Sequence, residues 1–548
     1  MKKGMLLLLV VLCACGPQKP KTVIAPWVPY DQSEQIAANA EHRSPRMRYK
    51  RIQSTYKDRN DLWAAIADQI AYFSEEDYQN LKPLILEQDI PTLQEHVASG
   101  KLSYEKITQW YLYRIVKFEN NPETALNNLI SINPNAAAEA RKMDKNRSDD
   151  DHPLYGIPVL LKDNIGSDGL PTTAGSYVLR DNNAADAFIT AGIREKGGII
   201  LGKANLSEWA NFYCSGCPNG FSTAGGQTMN PYGPREFDTG GSSSGSGSTI
   251  AANYAAVAVG TETAGSILSP SSSSSLVGLK PTVGLLSRGG IVPLSSTLDT
   301  PGPMTKNVID NAILLSAMTG EDPKDVATKD NPKNKKYWEK VTSGSLEGLR
   351  FGVNKAFLGD SIYKLTVEKI AALGADTVHL AFQNADISGF ISLLNADMKQ
   401  DMIHYLEDYA SDNITVKSMS DLVDFNRTDS ATAMPYGQGL FEGVVNETVA
   451  GDELVALRKK IRENGIKYFE APMDEHRLDF VLSINNYSAA FAAAAHYPCL
   501  TVPMGYWPTG QPHGITFISR PFEEDRLLKV GYAFEKATKV RKVPAGYN

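Results

Sequence analysis

Three short stretches of this chain carry residue types that could cleave an acyl bond. Lys162 closes the apolar run "IPVLL", a poor place for a solvated ammonium. Such a lysine can snorkel or pair with the adjacent Asp163, the ordinary outcome at a strand end. Held among apolar groups instead, it can lose its proton and act as a base. From a reference pKa near 10.4, keeping the amine neutral at pH 7 costs roughly 4–5 kcal/mol, which the surroundings must supply. The second stretch is "TETAGS", residues 261–266, which follows the apolar residues Val257, Ala258 and Val259. A strand that turns sharply there, with Gly265 permitting close backbone approach, lines up successive amides as an anion-binding nest. Ser266 would then sit beside an oxyanion hole; the bland alternative is a Gly/Ser turn. The third stretch, "GGSSSGSG" at residues 240–247, has the composition of a flexible linker, yet it runs into an alanine-rich helical segment.

Other chemistries find less support. "GSSSG" matches the nucleophile-elbow pattern G-x-S-x-G, but that elbow follows an apolar strand, and here "REFDTG" precedes it. Ser103 and Lys106 match S-x-x-K on an amphipathic helix, a chance spacing. The eight histidines form no H-E-x-x-H cluster, and no G-x-x-x-x-G-K-[ST] loop is present. Cys214 and Cys217 form a C-x-x-C without a second ligand pair for zinc; a local disulfide and two small buried thiols both remain open. No metal and no cofactor are expected.

The elements that must position these residues alternate. Residues 81–119 have helical periodicity, broken at Gly100, with Ser103 as a cap. "LNNLISINPNAAAEARKMDK" reads as strand, turn at Asn133-Pro134 and helix, and "GIPVLLKDNI" as a short apolar strand. "AFITAGIREKGGIILGKANLSEWA" continues as helix, Gly stop, strand and helix. The alternation resumes with "GLRFGVNKAF" and a helix from near Ser361. This pattern predicts an α/β fold around a mostly parallel or mixed sheet. The polar residues 321–340 read as a surface excursion. With 42% hydrophobic and 21% charged residues in 548, composition is that of a globular protein, and a net charge of −7 gives no support for a nucleic-acid surface.

Taken together, "GIPVLLKDNI", "GGSSSGSG", "GTETAGSI", "GLKPTVGLLSRGGIVPLSSTLDTPGPMTK" and "YPCLTVPMG" resemble the amidase signature family over residues 81–540. The resemblance implies one α/β domain with a mixed central sheet flanked by helices. It also implies a Ser–Ser–Lys triad. Lys162 corresponds to the base and Ser242 to the bridging serine, whose peptide is cis in the family. Ser266, 24 residues after Ser242, corresponds to the nucleophile. Backbone N–H groups of Thr263, Ala264, Gly265 and Ser266 would hold the oxyanion, and the substrate would be a small-molecule or peptide amide, releasing ammonia or an amine. The "GTET" wording is similar to peptide-amidase-like members. Three departures stand out: Ala264 where Gly or Asp is common, Leu268 in place of an arginine, and the serine run at residues 271–275. An esterase or lipid-amide hydrolase on the same triad, an amide-transferring subunit similar to the glutamyl-tRNA amidotransferase A chain, and a catalytically silent binding protein are the alternatives. A substrate pocket is expected among the loops and helices of residues 386–486.

The first residues add a destination. Lys2 and Lys3 precede "MLLLLVVL", too short to cross a bilayer as a helix, and "LCAC" places small residues before Cys15. This resembles a bacterial lipoprotein signal. It implies a signal peptide at residues 1–14, lipidation of Cys15, and a cell-envelope protein held to the membrane only through its lipid. An anchor, spacer and N-terminal helical segment would occupy residues 15–80, and the amidase signature domain residues 81–548.

Overall fold

The computed structural model describes residues 21–332 and 336–548; the signal segment with Cys13 and Cys15 lies outside them. Strands form where the sequence places short apolar runs between glycines and turns. In chain order they are β1 Leu129–Ile132, β2 Pro158–Lys162, β3 Ile199–Ala204, β4 Phe221–Ser222, β5 Gly226–Gln227, β6 Val257–Glu262, β7 Val277–Lys280, β8 Thr300–Thr305, β9 Arg350–Asn354, β10 Asp376–Leu380, β11 Phe480–Ile484, β12 Cys499–Tyr506 and β13 Pro512–Ile518. Strands β4 and β5 make a small hairpin. The other eleven form one sheet in the order β1-β3-β2-β6-β8-β7-β12-β13-β11-β9-β10. It is mixed: β3, β2 and β6 run parallel, as do β11, β9 and β10, and the strands between them pair antiparallel. This is the single-domain α/β fold expected, with helices on the sheet's faces.

Strands β2, β3 and β6 are buried along their whole length, as parallel strands covered on both faces must be. Helix Val308–Met318 is apolar nearly all round and every residue but Ile309 is buried. Helix Tyr104–Glu119 begins at Ser103, whose hydroxyl accepts the Lys106 N–H at 3.2 Å. Residues of the N-terminal segment, Trp27, Met47 and Trp63 among them, join the same hydrophobic core as the sheet. A second apolar cluster unites helices Phe390–Asp408, Met419–Thr428, Gly439–Asn446 and Gly451–Glu475 with Trp209, Val292, Leu294 and Leu298.

Two sequence expectations are corrected. The helix expected around Glu208 is only a short distorted turn, because Trp209, Ala210 and Asn211 have positive φ. Residues 321–340 are no simple surface excursion: Asp322, Thr328, Asn331 and Tyr337 are buried. Asn331 donates to the carbonyls of Leu285 and Gly320, so its amide, though polar, ties the segment inward. The cysteine pair also resolves, since Cys214 and Cys217 are joined as a disulfide and Cys499 is a free buried thiol.

The Gly/Ser run at residues 240–247 is a packing device. Helix Ser244–Ala251 is buried on every side, and a Cβ at Gly245 would collide with the backbone of Asn205. Small residues are what allow this helix to lie against the strand ends. Gly245→Ala should therefore destabilise the protein by about 1–3 kcal/mol, the usual result of overpacking, read as a lower denaturation midpoint with unchanged m-value.

Candidate active site

Lys162 ends β2, and β6 lies beside it in parallel register, Leu161 opposite Val259. The chain leaves β6 at Glu262 and turns through residues 263–267 into helix Leu268–Ser273. The two strands thus deliver a lysine and a tight turn to the same edge of the sheet, the place where α/β folds collect functional groups. Helix Ser244–Ala251 starts just behind, with Gly241–Ser242 leading into it through a cis peptide bond.

The Lys162 side chain is fully buried, and its Nζ lies 2.7 Å from Ser242 Oγ, 2.8 Å from Thr261 Oγ1 and 3.2 Å from the Thr261 carbonyl. It makes no ion pair with Asp163. That carboxylate turns away to Lys203, 3.5 Å distant and equally buried, and accepts the N–H groups of Thr173 and Gly175. Burial therefore acts on Lys162 with little to oppose it. Desolvation pushes the amine down to about 7, against a smaller upward pull from Asp299 and Glu262. Both of those acids are themselves raised by burial.

Ser242, also fully buried, is clamped from several directions. Its carbonyl accepts the Ser207 N–H at 3.0 Å. The next residue, Ser243, donates its N–H to the Ser266 carbonyl at 3.1 Å, its hydroxyl donates to the Thr261 carbonyl, and that hydroxyl accepts the Thr261 N–H. The backbone of Ser266 is thereby tied to the residue beside Ser242. Ser266 itself is only half-buried.

In the turn, Gly265 has φ +101, which favours glycine, and a Cβ there would also press on Asn486 Nδ2 at 2.9 Å. Glu262 accepts the N–H groups of Ile267 and Leu268 at 2.7 and 3.0 Å, and the Gly265 amide leans on the same carboxylate. No described residue accepts from the amides of Ala264 or Ser266. Thr263 Oγ1 donates to Asp299 at 2.5 Å. The serine run behind the turn is accommodated: Ser272 and Ser275 hydrogen-bond Thr501 and Tyr506, and Ser271 fits against Gly278.

A cavity of about 490 Å³ opens beside this turn, within the range of small-molecule sites. Asp401, Tyr405 and Tyr409 line it from the expected 386–486 region. Residues 288–301 and 324–325 line it too, which sequence reasoning did not anticipate. Also missed were Asn164, which donates to Thr261 Oγ1 at 3.0 Å, together with Thr261, Ser243 and Asp299. All four lie inside the quoted motifs, but no spacing rule pairs Asp299 with Thr263 across 36 residues. Among the described residues no group of three His, Cys, Asp or Glu could hold a metal, and no helix is long and apolar enough to cross a membrane.

Comparison with known proteins places the chain in a family. Residues 107–440 match the family model described as Amidase. A probable amidase of Arabidopsis thaliana is 35% identical over 477 residues, covering 84% of this chain and 92% of its own. The crystal structure of an amidase family protein from Bacillus anthracis str. Ames superposes with a TM-score of 0.86 at 38% identity, over 90% of this chain and 99% of that one. The native peptide amidase from Stenotrophomonas maltophilia follows with a TM-score of 0.79 at 34% identity, over 84% and 98%. The chain belongs to the amidase family, and it is an amide-hydrolysing enzyme.

The depressed pKa of Lys162 has a thermodynamic signature. Between about 7 and 10.5 the unfolded chain holds a proton on this amine that the folded chain does not. Stability conferred by the neutral amine is thus complete above the upper value and lost as pH falls towards the lower. Relative to Lys162→Met, the wild type should gain about 1.4 kcal/mol per pH unit across this window, measured by chemical denaturation at pH 7, 8 and 9. A constant difference would mean that Lys162 titrates like a solvated lysine.

Proposed function

We propose that the enzyme cleaves carboxamides through an acyl-enzyme on Ser266, with Lys162 as the base acting through Ser242. The observation that carries this reading is the 2.7 Å contact between Ser242 Oγ and a lysine that burial has brought close to neutrality at physiological pH. Ser242 passes its proton to Lys162 Nζ as it receives the proton of Ser266, and Ser266 Oγ attacks the amide carbon. The amides of Ala264 and Ser266, lacking acceptors among the described residues, stabilise the oxyanion with help from that of Thr263; the Gly265 amide is shared with Glu262. A single donor of this kind is worth roughly 3–4 kcal/mol in comparable sites. Lys162 returns the proton through Ser242 to the departing nitrogen, and ammonia or an amine leaves. Water then attacks the ester by the same relay, freeing the acid and restoring Ser266.

Likeness to the peptide amidase supports peptide amides as one substrate class. The leader supports export as a lipoprotein with lipid on Cys15, facing the cell envelope. Metabolic labelling with a fatty acid should mark the wild type and not Cys15→Ala.

A fluorophosphonate should label intact protein at Ser266, and the labelling should vanish in Ser266→Ala. Lys162→Ala should lower kcat/KM by about 10²–10⁴-fold. In the wild type, kcat/KM should rise as pH passes through about 7 and then level off, as Lys162 loses its proton. Folded enzyme inert to the probe and to a panel of amides would overturn the reading.

A further inference from the structure

The cavity beside the turn has a chemical bias. Four carboxylates line it, Asp299, Asp325, Asp401 and Asp408, against two cations, Arg288 and Lys324. The cations are engaged. Arg288 grips Asp325 in a two-pronged ion pair and donates to the Ser296 carbonyl. Lys324, exposed at the mouth, lies 5.4 Å from the centre of the Tyr409 ring.

Asp401 is different. It projects from helix Phe390–Asp408, half-buried, and its carboxylate accepts the Ser296 N–H at 2.6 Å and the Ser296 hydroxyl. No cation among the described residues pairs with it; its neighbour Asp397 has taken Arg458 and the Ser295 hydroxyl. Burial, with Asp397 and Asp299 nearby, pushes Asp401 up to about 6; Arg288 lies within its field but is committed to Asp325. On the inner wall, Asn164 is 3% exposed and spends its Nδ2 on Thr261 and Val292, while its Oδ1 has no donor. Acceptors thus line this cavity, and among the described residues Asn164 Oδ1 has no donor and Asp401 no ion pair.

The cavity is continuous with the catalytic turn. Thr263 donates to Asp299, Asp299 accepts the N–H of Ser295, and the next amide, Ser296, meets Asp401. A ligand filling the cavity from Asp401 to Thr263 would end three residues along the chain from Ser266.

We infer that the enzyme selects amides bearing a cationic N–H donor, an ammonium or guanidinium, which Asp401 receives in this cavity. The inference rests on the amide-hydrolase reading, but its test does not need turnover. Full-length Ser266→Ala, unable to form the acyl-enzyme, is titrated by calorimetry with four amides: norleucinamide, lysinamide and the Nα-acetyl form of each. Norleucinamide carries only the α-ammonium, Nα-acetyl-lysinamide only the side-chain ammonium, lysinamide both and Nα-acetylnorleucinamide neither. At least one singly charged amide should bind tenfold or more tightly than the uncharged one, and which one identifies the group that Asp401 receives. Adding Asp401→Asn, which keeps an acceptor for Ser296, should erase most of that ratio. Equal binding of all four, binding of none, or a ratio that survives Asp401→Asn overturns the inference. Wild-type enzyme that hydrolyses the uncharged amide while the ratio is one keeps the hydrolase reading and removes this one. Wild type that hydrolyses none of the four leaves the hydrolase reading to the fluorophosphonate and the wider amide panel, and the binding ratios still decide this one.

Discussion

The arrangement turns on removing one primary amine from water without giving it a carboxylate. An ammonium of ordinary pKa has no lone pair to accept a proton, so Lys162 is useful as a base only if its charged form is made expensive. Burial does this, and the surrounding sheet maintains it. Strand β2 has a neighbour on each side and is covered on both faces. The acid next in sequence, Asp163, would undo the effect if it faced the amine. Its commitment to Lys203 prevents that, so a second buried lysine protects the first. Asp299 and Glu262 are close enough to pull the pKa back partway, which leaves the amine near the working range of a general base instead of far below it.

A buried amine acts only if its partner is delivered to hydrogen-bond distance, and that demand explains the composition around residue 242. Helix Ser244–Ala251 must come close to the loop after β3, and at Gly245 even a Cβ would collide with the Asn205 backbone. Serine has a further use here. Buried hydroxyls can satisfy backbone groups that no regular ladder reaches. Ser243 does so in both directions at Thr261, and Ser244 and Ser246 donate to the carbonyls of Gly240 and Val259. Composition that would make a solvated tether elsewhere makes a rigid seam when enclosed by apolar strands.

The helices of residues 390–475 serve a different purpose. They form their own apolar cluster and share it with Trp209, Leu294 and Leu298, residues that adjoin the turn and the cavity wall. This places Asp401 and Tyr405 across from Thr263 without any of them belonging to the sheet. The polar residues after Met318 complete the enclosure. Their carboxylates find partners inside the fold: Asp325 on Arg288 and Asp322 on the Ser287 hydroxyl.

Much of this could be read from the chain alone. The alternation of apolar strands and helices is a local signal, set by side-chain periodicity, and it predicted β1, β2, β3 and β9 with the right class of sheet, though not the distorted turn that replaces a helix at Glu208. Lys162, Ser242 and Ser266 were singled out through contiguous motifs and a family resemblance, and the structure brings the first two into contact. What stayed hidden was pairing across distance. A lysine at a strand end has two plausible fates, and only the fold shows that Asp163 goes to Lys203. The same holds for Asp299 reaching Thr263 and for Asp401 remaining without a cation. Burial and countercharge depend on which elements enclose a group, and enclosure is a property of the assembled sheet and helices, beyond the reach of any window of neighbouring residues.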